Sequence, residues 1–308
     1  MKQTRREAIK TIGCLAAAPA IIAAMPKARR YPIAFSTLGC PKWEWKTILN
    51  HAAEWGYAAI ELRGIQGEMD LTKRPEFAGD RLKEAMKDLE ALELRISDLG
   101  SSAQLHGVDP AKRTPHLDEA KRFIDLAQRL KVPYVRVFGN NIVQDQPKQA
   151  TLDRIIAGLK ELGQHAKGSG VGVLMETHGD FPDSPTVLQI MKGVGMPEVG
   201  VLWDAHHTSV TGKERPAETF KQLGSYIRHT HLKDSIQSGT EIHYVLTGKG
   251  TVPVRETVQV LAQNKYRGYY CFEWEKAWHP EIDEPEVAFP HYAKTVGQYL
   301  AEAGVNPA

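Results

Sequence analysis

Seven apolar runs in this sequence close on an acid, an imidazole or a guanidinium. They are AAIELRG with Glu61, RISDLGSS with Asp98, YVRVFGN with Arg136, VLMETHGD with Glu176 and His178, VLWDAHH with Asp204 and His207, IRHTHLKD with His229, His231 and Lys233, and CFEWEKAWH with Glu273 and Glu275. A charge at the end of a buried run is costly to desolvate without a partner, and several acids gathered around an empty space repel one another. Taken singly, each is explained by a salt bridge or by a hydrogen bond to loop backbone. Glu176, Asp204, His231 and Glu273 together would need that explanation four times over, whereas one divalent cation explains them at once. The first three follow one another at intervals of 28 and 27 residues, close to the roughly 30 residues of one strand-plus-helix unit in a barrel of about 250 residues.

Such groups need strands that deliver them to one place. From Tyr31 onward, short β-rich runs alternate with longer stretches of helical period. The expected strands are 32–36, 58–62, 95–99, 134–138, 172–176, 200–204, 227–232 and 268–274, with helices over 45–55, 79–91, 117–130, 151–167, 216–223 and 254–263. Eight such units predict an α/β fold, a closed (β/α)8 TIM barrel, whose active site lies at the C-terminal ends of its strands. The rival, a doubly wound open sheet, lacks its fingerprint: no strand is followed by G-x-G-x-x-G, and GKGTVP is neither that turn nor a phosphate loop. The longest gap between ligand candidates holds the segment 234–252, expected to form a lid or substrate wall.

The chain has 308 residues, 42% hydrophobic and 25% charged, enough for a full core in one domain. A formal net charge of +2 gives no basis for a nucleic-acid surface. At the N-terminus, TRREAIK precedes an Ala-rich apolar run from Thr11 to Met25 and then the basic residues Lys27, Arg29 and Arg30. Residues 1–30 are therefore expected to be a twin-arginine export signal, too short to span as an anchor, leaving 31–308 as the mature domain in the periplasm or otherwise exported, with no stable membrane insertion after processing. Cys14 does not fit a lipidation site, because Thr11 stands where such a signal has Leu. No disulfide between Cys40 and Cys271 is expected to be needed.

In this order METHGD, WDAHH, HTHLKD and GYYCFEWE resemble the successive motifs of the xylose isomerase-like sugar isomerase and epimerase family, over the whole stretch from Tyr31 to the C-terminus. The resemblance implies that Glu176, Asp204, His231 and Glu273, on strands five to eight, hold one divalent ion. It implies further that His207 touches substrate or metal, that Lys233 of HLKD faces the pocket, and that Glu176 and Glu273 act both as ligands and as proton carriers. Endonuclease IV, of the same superfamily, resembles the chain less well, because it assembles three zinc ions from a larger ligand set.

Three carboxylates and one imidazole suit Mn2+, Co2+, Mg2+ or Zn2+, leaving room for two adjacent oxygens of a hydroxy-ketone. The chemistry expected is α-proton abstraction from a sugar or polyol ketone through an enediolate. Glu275 is a further acid/base candidate by the two-residue period, or a salt-bridged neighbour of Glu273. His178, Glu61, Trp278 and His279 are expected to line a carbohydrate pocket, whereas alternation turns Trp203 and Trp274 into the core. The residues leave three readings open: isomerisation or epimerisation, elimination on a 3-keto-glycoside, and metal-dependent sugar binding without catalysis.

Overall fold

Runs of Val, Ile, Leu and aromatic residues too short for a helix bury both faces only in a sheet covered on one side by helices and closed on the other. The computed structural model of the protein, which describes residues 29–308, shows this arrangement. Eight parallel strands close one barrel: β1 (Ile33–Ser36), β2 (Ala59–Leu62), β3 (Arg95–Gln104), β4 (Tyr134–Phe138), β5 (Gly172–Glu176), β6 (Val199–Asp204), β7 (Ile227–Leu232) and, last in the chain, β10 (Tyr270–Phe272). The pairing runs β1-β10-β7-β6-β5-β4-β3-β2 and returns to β1. Between β7 and β10 an antiparallel hairpin, β8 (Asp234–Ser238) and β9 (Glu241–Val245), stands outside the barrel.

The helices are α1 (Trp45–Glu54), α2 (Arg81–Ala91), α3 (Pro110–Leu130), α4 (Lys148–Ala166), α5 (Ser184–Val194), α6 (Pro216–Leu223), α7 (Val254–Gln263) and α8 (Pro285–Glu302). All six expected helical stretches are helical, and α5 and α8 complete the ring. The ends of α5 show how sequence fixes a helix. The Asp183 carboxylate accepts the Thr186 N–H at 2.9 Å, and Gly195 closes the helix at φ 60°, where a side chain is disfavoured. Among the described residues no helix is long and apolar enough to cross a membrane. The expected export signal, apart from Arg29 and Arg30, lies outside the described residues, as does Cys14. Cys40 and Cys271 are both buried free thiols.

The space inside the barrel is where this fold departs from a hydrocarbon plug. Barrel interiors are usually stacked with branched aliphatic side chains. Here Ala34, Ala59 and Cys271 make only a small apolar patch, and beyond it Glu61, Asp98, Arg136, Glu176, Asp204, His229, His231 and Glu273 are all buried. Register brings them level: Glu61 lies opposite Asp98, and Asp204 opposite His231. Trp203 and Trp274 point away into the core, as alternation requires, with their indole N–H groups satisfied by Thr208 and by the Asp283 carbonyl.

The segment 234–252 is more ordered than a loop. The Asp234 carboxylate accepts four backbone N–H groups, from Ser235 (2.9 Å), Gly248 (2.8 Å), Gly250 (3.0 Å) and Val252 (3.1 Å). The acid of HLKD thus ties the return of the hairpin to the end of β7, a charge-assisted set of bonds that holds this wall in place.

Candidate metal centre

Glu176 ends β5, Asp204 ends β6, His231 lies near the end of β7 and Glu273 follows β10. One ligand atom from each falls within 4.8 Å of all the others, and all four residues are buried. The carboxylates of Glu176 and Glu273 each place an oxygen 3.2 Å from His231 Nδ1. Two ligands about 2.1 Å from a shared ion, at angles between octahedral and tetrahedral, stand about 3.0–3.4 Å apart. Three oxygens and one imidazole nitrogen at this spacing could bind a metal ion, and the four ligands expected from the sequence are the four that meet.

Each ligand is held from behind. Asp204 Oδ1 accepts the N–H groups of His206 (2.8 Å) and His207 (3.1 Å), where β6 passes into a single π turn, His207–Thr211. Arg136 Nε lies 3.2 Å from Glu176 Oε2, and its guanidinium sits 4.0 Å over the Phe138 ring. Burial pushes the Glu176 carboxyl up, but Arg136 and His231 outweigh it and keep it below the usual range. His231 shows the converse: burial disfavours its charge, but Glu273, Glu61 and Glu176 hold its pKa well above the usual histidine value. Lys233 is 1% exposed. Its ammonium lies 2.7 Å from Asp204 Oδ2, 2.7 Å from Glu275 Oε1 and in contact with Glu273. Burial opposes the Lys233 charge, yet the three acids keep its pKa well above normal.

Two residues named from the sequence as substrate contacts have protein partners in the structure. Glu61, expected to touch substrate, is fully buried beneath His231, bonded to His231 Nε2 at 2.7 Å and to His229 Nε2 at 3.0 Å. Lys233, expected in the pocket, has its ammonium engaged by three carboxylates and is their counter-charge. Glu275 does share a face with Glu273, and Lys233 joins the two, which matches the salt-bridged alternative. Burial, with Glu273 adding to it against Lys233, raises the Glu275 carboxyl above the usual range.

The rim is made of rings. His178 lies between Phe138 (centroids 4.7 Å apart) and His207 (4.8 Å). His207 Nε2 is 3.6 Å from Asp204 Oδ2, so His207 adjoins the ligands. Burial and the neighbouring Lys233 charge drop both His206 and His207 to about 3, so both rings are neutral. His279 packs against Tyr244 of β9 at 5.0 Å and pairs with Glu281. Trp278 is 57% exposed, and among the described residues no ring stacks on it. Sequence reading passed over Arg63 and Tyr244. Arg63 is buried at the end of β2 and bonds Ser102 Oγ at 3.0 Å. Burial and Arg136 lower its pKa to about 10, against the pull of Glu273 and Glu176. The two-residue period from Glu61 carried the signal for it. Tyr244, on the hairpin, packs on His206 at 5.4 Å and had no motif to mark it.

Residues 49–291 match the family model described as xylose isomerase-like TIM barrel. The chain belongs to that family. It is 25% identical to the fructoselysine 3-epimerase of Shigella flexneri over 237 residues, covering 72% of this chain and 82% of the relative. It is also 25% identical to an inosose dehydratase of Bacillus cereus (strain AH820) over 168 residues, 49% of this chain and 54% of the relative. Among solved structures, the fold superposes with a TM-score of 0.69 on the 3-keto-D-glucoside 4-epimerase of E. coli, at 13% identity over 88% of this chain and 100% of the other. Relatives in this family include sugar epimerases and inosose dehydratases, so a sugar-modifying enzyme is the coarse description of the chain.

Proposed function

We propose that the protein is a metal-dependent isomerase or epimerase of a sugar or polyol ketone. The observation that carries the reading is the pair Glu176 and Glu273: two buried carboxylates from strands separated in the barrel by β6 and β7, each 3.2 Å from the same ring nitrogen of His231. When bound there, one divalent ion of the Mn2+, Co2+, Mg2+ or Zn2+ class supplies polarisation of a ketone and its adjacent hydroxyl, which acidifies the intervening C–H. Glu176, held ionised against its burial by Arg136, and Glu273, held ionised against its burial by His231 and Lys233, are the bases. One takes the proton from carbon, and the other, in its acid form for that half of the cycle, returns a proton from its own side. Burial of both groups keeps bulk water from quenching the carbanionic intermediate, and the neutral ring of His207, with the His178 ring packed beside it, faces substrate hydroxyls. Tyr244 and His279 form an outer wall for the rest of a carbohydrate.

A second reading is elimination from a 3-keto-glycoside or related ketone. The likeness to inosose dehydratases favours it, as does Glu275, a third acid beside Glu273 on the same lysine. The same proton is removed, and Glu275 protonates the departing oxygen. Purified protein loaded with Mn2+ and incubated in D2O with free ketoses, inososes and 3-keto-glucosides separates the readings by NMR. Deuterium incorporation with epimer formation is the expected result. Loss of water or of an aglycone supports elimination, and no exchange on any ketone sinks both. The export signal is likewise proposed from sequence: Arg5→Lys with Arg6→Lys should leave the protein in the cytoplasm, and normal export of that variant would refute it.

A further inference from the structure

We infer that Glu61 is a positioning residue that holds His231 in the tautomer with its proton on Nε2, and so turns the lone pair of Nδ1 toward the metal centre. The inference rests on the metal-dependent reading above. The His231 ring is fully buried and has acids on both sides: Glu61 Oε2 at 2.7 Å from Nε2, and oxygens of Glu176 and Glu273 at 3.2 Å from Nδ1. A neutral imidazole has one N–H and one lone pair, and an ionised carboxylate only accepts. His229 Nε2 lies 3.0 Å from the same Glu61 oxygen, so both rings donate to one carboxylate. With carboxylates on both sides the metal-free ring can donate from both nitrogens; an ion held by Glu176 and Glu273 would take the place of the Nδ1 proton, and the one that remains belongs on Nε2, donated to Glu61. Glu61 reaches this place from β2, across the interior from β7, since β10 and β1 lie between them in the sheet. Its other oxygen has no hydrogen-bond partner. A carboxylate buried on those terms is costly unless it orients something.

Glu61, His229, His231 and Cys271 also lie close enough together to suggest a second ion. The 2.7 Å between Glu61 Oε2 and His231 Nε2 argues against that. It is a charge-assisted hydrogen-bond length, shorter than the about 3.0–3.4 Å between two ligands of one ion. A second ion there would also strip the Nε2 proton from His231 and make the ring a bridge.

The test uses the full chain. In 15N-histidine-labelled, Zn2+-loaded protein, long-range 1H–15N spectra should show His231 protonated at Nε2 with Nδ1 shifted by the metal; the opposite tautomer overturns the inference. Chelator competition should show one equivalent of Mn2+ bound, with affinity about 10–100-fold weaker in Glu61→Gln and Glu61→Leu and unchanged in Cys271→Ser. Folded Glu61 variants that bind as tightly as the wild type overturn it. So does a second equivalent that disappears in Cys271→Ser. If Glu61→Leu does not fold, Glu61→Gln and the wild-type tautomer still decide. Wild-type protein that binds no metal removes the centre itself, and the positioning role with it, an outcome distinct from a wild type that binds while the Glu61 variants bind equally well.

Discussion

The half of the barrel built from β5, β6, β7 and β10 and the half built from β2, β3 and β4 carry the same kinds of residue on the same inner face, yet use them differently. The first half brings Glu176, Asp204, His231 and Glu273 to one point. The second supplies Glu61, Asp98 and Arg136, which stand behind that point: Glu61 against His231, Arg136 against Glu176, and Asp98 with neither oxygen hydrogen-bonded. An acid that ends a buried strand thus joins the candidate metal cluster or braces it according to what the closed barrel sets opposite it. Residue type does not distinguish the two, and the comparison predicts that the halves respond differently to substitution.

The largest effect belongs to the ligand half. Glu273→Gln removes one negative ligand and one proposed proton carrier, so turnover should fall by at least about 10³-fold with loss of tightly bound metal. Single substitutions of Glu176, Asp204 and His231 should also lower the metal content. Metal analysis of the four purified variants checks this: a full equivalent retained in all four would erase the distinction between the halves.

Lys233 sharpens the comparison because it belongs to the ligand half yet acts as a brace. Replacing it by Met strands three buried acids without their cation, a change expected to cost about 3–5 kcal/mol in metal-free protein. A bound ion supplies positive charge at the same acids, so Mn2+ should raise the melting temperature of Lys233→Met by more than it raises that of the wild type. Equal shifts would mean that lysine and metal do not share those carboxylates.

The fold, and the meeting of Glu176, Asp204, His231 and Glu273 at one point, were legible because both are written in local pattern. Most strands are short β-rich runs, each helix has its own period, and the first three of the four residues recur at about one barrel unit. The roles of Glu61 and Lys233 were not legible, because they are set by contacts between residues 170 and 40 positions apart. From the sequence, Glu61 is an acid at a strand end like Glu176; only closure puts a histidine above it. The hairpin escaped for another reason. Its two strands are five residues each, DSIQS has one apolar residue, and the alternation in EIHYV is too short to mark a strand by itself. Arg63 was within reach of the two-residue rule, but the acid before it drew the assignment.

The smallest effect falls on the brace half, at Asp98. Burial first, and then the neighbouring Glu61 charge, push its carboxyl well above the usual range, so the folded protein keeps its proton to higher pH than the unfolded chain does. An aspartate in the unfolded chain loses its proton near pH 4. Below that pH both states are protonated and the stability associated with neutral Asp98 is complete. Above it the unfolded chain releases a proton that the folded chain retains, so stability declines with rising pH, by at most about 1.4 kcal/mol per unit, until the folded carboxyl also ionises. Asp98→Asn keeps the shape and removes the titration. Its melting temperature should equal or exceed that of the wild type at pH 7 to 8, and the difference should shrink toward pH 4. A variant that is less stable than the wild type across that range would show that Asp98 is an ionised partner after all, and that the second half of the barrel braces the site with three charges where the geometry supports two.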